Sequence, residues 1–432
     1  MSILKSMYSA ASGLGAHGSA MDVVSDNIAN LNTIGFKAGR GRFESVLGGS
    51  IASQAVNASA GNGARMAGVQ QNFSQGSMLG TGVATDMAIQ GDGFFVVDGN
   101  HQGVDGQFFT RAGQFNLDSD GYLVDPNGLR VQGYSADPTG EVSSQLGDLT
   151  IPPNITVPPQ ATTTVDIAAN LDANATPPPA FDVTDPEGTS NFSSSVVVYD
   201  SLGAAHTVNL YFRKTGTGSW DWHALVDGAE LSGGTPGVMQ QTASGSLTFT
   251  TNGELDTETT NASSFDFVDA APGQSINFDF GDSLTTDGGT GTQGVTSYAG
   301  ESDVLSLQQD GFATGALADL EVAENGMITG TFTNGEKRPL GQVATARFRN
   351  NQGLARAGAG LSVATADSGQ ALIGTAGSGG RGSIVAESLE QSNVDLAGEF
   401  VDMIAYQRGF QANSRAVQTA DEMLAELNQI KR

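Results

Sequence analysis

Both ends of this chain repeat large apolar residues at intervals of seven, and the long stretch between them does not. Met7, Leu14, Met21 and Ile28 form one row near the N-terminus, with Ile3, Ala10, His17, Val24 and Leu31 on a second. Near the C-terminus, Leu389, Leu396, Met403, Phe410, Val417 and Leu424 keep the same interval. A seven-residue period draws a narrow apolar seam along a helix, and such a seam needs a helical partner. The spacing therefore predicts a helix over about 1–31 and another over 388–432, paired in a coiled-coil-like unit. Gly13, Gly15 and Gly18 weaken the first helix by roughly 1 kcal/mol each relative to Ala, so it is expected to order only when packed.

The middle reads as strands and turns. Gly is 59 of 432 residues and charged residues are only 15%, well below the usual ~25%. The run Gly93–Gly99 is a buried strand between turn residues, and Asp118-Ser119-Asp120-Gly121 and Pro126-Asn127-Gly128 mark tight turns. Beyond the prolines at 152, 153, 158 and 159, apolar residues alternate cleanly: Val208/Leu210/Phe212, Trp220/Trp222/Ala224, Leu247/Phe249 and Ile276/Phe278/Phe280. One apolar face per strand predicts a sandwich or barrel with a solvated side.

The expected fold class is mainly β with terminal α-helices: a discontinuous chain whose paired end helices frame two antiparallel β domains, the outer inserted in the inner. The expected bounds are 1–31 with 388–432 for the helices and 32–75 for an extended connector. The inner β domain is expected over 76–148 with 298–380, and the acidic outer one over 149–297. The Gly/Thr tract at 285–297 reads as the close of the insertion, and Gly374–Gly382 as a flexible hinge.

Charge narrows the function. The net charge is −27, and residues 141–300 hold nineteen Asp/Glu against only Arg213 and Lys214, so −17 of the total lies there. Nucleic-acid binding needs a basic face, so that class is excluded, and the acidic stretch reads as a solvated, self-repelling surface. There is no Cys, hence no thiol chemistry. No apolar run approaches the ~18 residues of a membrane span, and the N-terminus lacks the form of a secretory signal.

Catalytic and cofactor motifs fail on context. Asn116-x-Asp118-x-Asp120-Gly121 opens like a calcium loop, but position twelve is Asn127, not Glu, and its flanks read as strands. Gly377-x-Gly379-x-x-Gly382 lacks the βαβ unit that a dinucleotide needs. Asp367-Ser368-Gly369 has no second half-site, and His17, His101, His206 and His223 have no metal-ligand spacing. The chain is expected to be neither an enzyme nor a cofactor or metal protein.

One segment is specific. Ser25–Lys37, with Asn27, Ile28, Ala29, Asn30, Asn32, Thr33, Gly35, Phe36 and Lys37, closely resembles the signature of the flagellar rod and hook proteins, departing at Asp26, where that family usually carries Asn. Gly91–Phe95, Thr110–Phe115 with Gly121–Val124, and Leu389–Leu396 through Ile404–Arg408 agree with the same family in order. The large acidic insertion resembles the hook branch rather than the shorter distal rod proteins. The resemblance implies an open helical homopolymer, a flexible curved tube transmitting torque outside the cell. It implies export of unfolded subunits by the flagellar type III apparatus without a cleaved leader. It also implies contacts with cap, distal rod and hook–filament junction proteins, and no membrane insertion. Phe43-x-x-x-Leu47 resembles a short export element of such substrates. The alternatives are a straight distal rod-type protein or, more distantly, a secreted β-rich adhesin or calcium-binding module.

Overall fold

The structure, a computed structural model, describes residues 3–46, 62–137 and 139–430. The chain is mainly β with a helix at each end. Helix α1 spans Ile3–Ala29 and helix α2 spans Leu396–Ile430. The chain divides into two compact units, one of residues 1–153, 318–331 and 337–432, the other of 154–317 with 332–336.

In the first unit, α1 and α2 pack side by side with a β-hairpin, Gly39–Ser45 and Ala64–Gln71, against α1. The hairpin occupies part of the expected extended connector. The two strands of the hairpin pair from Gly39 with Gln71 to Ser45 with Ala64. The same unit holds an antiparallel sheet in the order Lys337–Arg347, Arg130–Ser135, Phe94–His101, Val104–Thr110 and Leu361–Val363. Its core includes Phe94, Val96, Phe109, Ala346 and Phe348, with Phe109 and Phe348 edge-to-face at 4.7 Å.

Three sequence expectations shift here. Leu389 is not helical: Ser388–Glu390 is a strand paired with Met78–Gly80. The helix begins only after Asp395, whose carboxylate accepts from the Ala397 amide at 3.1 Å and whose carbonyl accepts from the Glu399 amide at 2.9 Å, an N-cap that stops the helix from extending backward. Residues 374–382 are a bonded turn rather than a free hinge: the Gly377 amide donates to the Gly382 carbonyl at 2.9 Å and the Arg381 guanidinium to the Thr375 carbonyl at 2.9 Å. The strands on either side, Leu372–Thr375 and Ser383–Ala386, are both paired.

The second unit is a two-sheet sandwich. Phe192–Tyr199, Ala205–Gly216, Ser219–Asp227, Met239–Phe249 and Leu255–Ser263 form a five-stranded antiparallel meander. The other sheet places Thr164–Asn170 between Asn277–Asp279 and Asp303–Gln309. The alternating residues of the meander point into one core with Val165, Ile167, Phe278 and Phe280, and Trp220 and Trp222 are fully buried. The pairing of Asp303–Gln309 with Thr164–Asn170 carries this unit past residue 298. The 285–297 tract is an internal loop, tied by the Leu255 amide to the Gly291 carbonyl and the Val295 amide to the Phe280 carbonyl, at 2.8 and 2.7 Å.

Candidate functional site: the paired termini and their corner

The two end helices approach closely because glycine on each faces a larger side chain on the other. A Cβ at Gly13 would fall 2.8 Å from the Asn413 amide, and one at Gly409 would fall 2.7 Å from the His17 ring. Among the described residues, the buried apolar side chains of the two helices are Ala10, Ala16, Ala20 and Val24 of α1 and Ala420 of α2. His17, from the second N-terminal row, faces Gly409, and Ala10 and Val24 of that row are buried. Met7, Leu14, Met21, Ile28, Met403, Val417 and Leu424 are half-buried, whereas Leu396 and Phe410 are exposed.

His17, Phe43 and Tyr406 form an aromatic cluster joining α1, the hairpin and α2, with centroids 5.6 to 6.1 Å apart. Phe43 thus has a packing role; Leu47, the other half of the expected export element, lies outside the described residues. Burial raises the Tyr406 phenol above its ordinary pKa, with Asp402 adding to the shift.

The signature residues build the corner below the helices. Asn27 is buried, donating to the Gly39 carbonyl at 2.7 Å and to Glu399 Oε1 at 2.9 Å, while its own oxygen accepts from the Gly39 amide at 2.8 Å. Asn27 therefore ties α1 to both the hairpin and α2. Burial pushes the Glu399 carboxyl above the ordinary range, and the Asn27 bond opposes that. Asn30 and Thr33 cap the helix end, with the Thr33 hydroxyl donating to Asn30 Oδ1 at 3.0 Å. Gly35 adopts φ +68°, and a Cβ there would fall 2.5 Å from the Ala112 nitrogen. Only glycine meets both conditions. Ile28 is half-buried, Ala29 and Asn32 are exposed, and Phe36 lies beneath the Arg356 guanidinium at 5.6 Å. Asp26 forms an ion pair with Arg356 at 3.5 Å.

Lys37 completes the corner. Its ammonium donates to Glu390 Oε1 at 2.6 Å and to the Ser74 carbonyl at 2.8 Å, and Arg111 reaches Glu390 Oε2 at 3.2 Å. All three side chains are 5% exposed or less. Burial lowers the pKa of both Lys37 and Arg111, with Glu390 opposing the shift in each. The stretches holding Glu390 and Arg111 are visible in the sequence, but their pairing is not. The available signal was the lysine itself, since a buried cation requires a buried anion.

The motifs that resembled catalytic or metal sites are spent on backbone geometry. The Asp118 carboxylate accepts from the Asp120 and Tyr122 amides at 2.9 and 2.8 Å. Ser368 donates to the Thr365 carbonyl at 3.0 Å. The His206 ring lies between Asp200 and Glu230, at 3.0 and 3.1 Å, and stacks on Phe267. His223 stacks on Phe181 at 3.8 Å, and His101 packs against Phe108. Among the described residues, no three His, Asp or Glu side chains are placed to hold a metal ion, and no helix is long and apolar enough to cross a membrane.

The two ends of the chain pair as helices of one unit, and the residues between them are mainly β: the architecture is that of a multidomain, mainly β protein closed by its terminal helices. Family models match along its length: the flagella basal body rod protein over 7–37, the flagellar hook protein FlgE/F/G D1 domain over 88–170, the flagellar basal body protein FlaE D2 domain over 170–312, and the flagellar basal body rod FlgEFG protein C-terminal over 385–430. The flagellar hook protein FlgE of Treponema pallidum is 36% identical, with all of both chains covered. That of Salmonella typhimurium is 34% identical over 97% of this chain and 98% of its own. The crystal structure of Helicobacter pylori flagellar hook protein FlgE2 shares the fold, with a TM-score of 0.52 and 17% identity, over 72% of this chain and 100% of that one. The chain belongs to the flagellar hook protein family.

Proposed function

We propose that this chain is a structural subunit of the bacterial flagellar hook and polymerises with copies of itself into an open helical tube. The observation that carries this reading is the apolar surface left on the paired helices. Leu4 and Tyr8 on α1 are 50% and 66% exposed, and Phe400, Val401 and Ile404 on α2 are 48%, 66% and 50% exposed. Large apolar side chains grouped on one element mark a surface meant for contact. Unlike patches that meet head-to-tail without closing generate a helical filament, so the pairing of α1 with α2 inside one chain leaves both able to meet neighbours.

The half-buried rows through Met7, Leu14, Met21 and Ile28, and through Met403, Val417 and Leu424, flank this surface and complete the proposed seam with Leu396 and Phe410. Leu389 serves the corner instead. The role is mechanical, torque transmission through a tube that bends, rather than catalytic. Its setting is the external hook, reached through the flagellar export apparatus, and its further partners are the cap, distal rod and hook–filament junction proteins. The straight distal rod reading is disfavoured by the match to full-length hook proteins.

The test is a chain lacking residues 154–317, observed by electron microscopy. Short tubes of altered curvature or stiffness are expected. Failure of that deletion to assemble at all, while the first unit stays folded, would refute assembly through the paired helices alone.

A further inference from the structure

Each end helix also carries a row at the interval of seven that faces outward. On α1 it runs through Tyr8, Gly15, Asp22 and Ala29, and on α2 through Val401, Arg408, Arg415 and Glu422; every one of these residues is exposed. Residues seven apart return to nearly the same side of a helix, so each row is a single face.

Contacts within the chain leave part of these faces unexplained. Among the described residues, Asp22, Arg408 and Arg415 enter no ion pair, whereas Asp26 is held by Arg356 and Glu399 by Asn27. Glycine in a helix interior costs about 1 kcal/mol relative to Ala. Gly13 has a reason to be glycine, since its face meets Asn413, but nothing lies within 4 Å of a Cβ at Gly15. Copies of a chain with net charge −27 repel one another, so unpaired cations on an outward face mark where acidic surface can be met.

The two rows fit each other in one register. Within the chain α1 and α2 run in opposite directions, because Gly13 faces Asn413 while Gly409 faces His17. Copies sharing a tube axis along their helices present α1 of one to α2 of the next in that same opposed sense. With Asp22 set against Arg408, the equal spacing brings Ala29 against Val401, Gly15 against Arg415 and Tyr8 against Glu422. The contacts are then an ion pair, an apolar pair, an arginine stem crossing a helix where no Cβ stands, and a hydroxyl facing a carboxylate. Sliding by seven residues breaks the match. In one direction Asp22 meets Val401; in the other Val401 passes the end of α1 and Arg408 meets Ala29.

We infer that the outward row of α1 is the docking face for the outward row of α2 on a second copy, with Asp22 and Arg408 as its ionic anchor. The inference rests on the self-assembly proposed above and adds the faces, their sense and their register. The contact joins unlike faces, so each copy offers one of each and the contact can propagate along a filament.

The test is the critical concentration for tube formation by full-length protein, read by sedimentation and electron microscopy, with helical ellipticity of the monomer reporting folding. Asp22→Arg and Arg408→Glu should each raise it at least roughly tenfold, because like charges set against each other oppose association. An equimolar mixture of the two variants should assemble near the parent's value, since each contact in it can pair opposite charges. One chain carrying both substitutions should do the same. Gly15→Leu should raise the value while the monomer keeps its ellipticity. Single reversals within about twofold of the parent would overturn the docking face, as would a mixture and a double variant no better than the singles. Rescue of Arg408→Glu by Glu422→Arg in place of Asp22→Arg would put the anchor between α2 helices and also overturn it. If a single variant loses the parent's ellipticity, the double variant decides: assembly near the parent's value supports the contact, and folded single particles overturn it. A parent that forms no tubes strikes the proposed function itself, whereas tubes from the parent and from both single variants strike only this docking face.

Discussion

Replacing Gly409 with Ala should destabilise the helix pair, although the same change in a helix interior ordinarily helps. Ala in place of Gly gains about 1 kcal/mol of helix propensity. At Gly409 the new methyl would fall 2.7 Å from His17 Cε1 and Nε2, closer than carbon atoms approach in folded proteins. The His17 ring cannot simply swing aside, because Phe43 and Tyr406 hold it at 5.6 and 6.1 Å. Overpacking of this kind costs about 1–3 kcal/mol, so the propensity gain is offset and the net change is a loss of up to ~2 kcal/mol. Gly15→Ala and Gly18→Ala are the matched controls: nothing lies within 4 Å of a Cβ at either, and each should stabilise by about 0.5–1 kcal/mol. Urea unfolding of monomeric protein, followed by ellipticity at the helical band, reads all three. The double variant Gly409→Ala, His17→Ala should recover the loss through a coupling of about 1 kcal/mol or more. Stabilisation by Gly409→Ala equal to that of Gly15→Ala would refute the close approach of α1 and α2.

Three further outcomes are expected. Asn27→Leu leaves the Gly39 amide and carbonyl without their side-chain partners and should cost about 2–4 kcal/mol, measured by the same unfolding assay. Gly35→Ala combines φ +68° with a methyl 2.5 Å from the Ala112 nitrogen, and should lower the melting temperature of the first unit while leaving the fluorescence of Trp220 and Trp222, both in the second unit, unchanged. In the second unit, burial beside Asp287 and Asp279 raises the Glu258 carboxyl to about 7. A raised carboxyl binds its proton more tightly when folded, so stability should fall as pH rises from about 4.5 to about 7 and then level off. Glu258→Gln should remove that slope and stabilise the unit at pH 8 by about 1–2 kcal/mol after allowance for solvent screening, as read by denaturant titration of tryptophan emission; an unchanged pH profile would exclude the effect.

The elements that could be read from the sequence were those whose pattern is local. Strand alternation around Val208, Trp220 and Leu247 marked a two-sided sheet because each strand carries its own period. Gly35 was legible only as part of the signature, and its φ of +68° is the reason glycine stands there. The helix pairing was legible as a need for a partner, but not as a contact line. The first N-terminal row and the C-terminal row named large side chains, whereas the closest approach falls at Gly13 and Gly409, which carry little hydropathy signal. The helix start was misplaced because Leu389 keeps the interval of seven, and only the pairing of Ser388–Glu390 with Met78–Gly80 removes it from the helix. The edge of the second unit was misplaced for a similar reason, since Asp303–Gln309 finds its partner more than a hundred residues away. The corner is non-local throughout: Lys37, Arg111 and Glu390 lie in three separate recognisable stretches, and nothing in any one of them states the link.

The most direct test of self-assembly through the paired end helices is electron microscopy of purified full-length protein alongside a form lacking α1 and α2. The account predicts long, curved tubes from the intact chain and only single particles from the shortened one. Single particles from both at high concentration, or tubes from both, would contradict it.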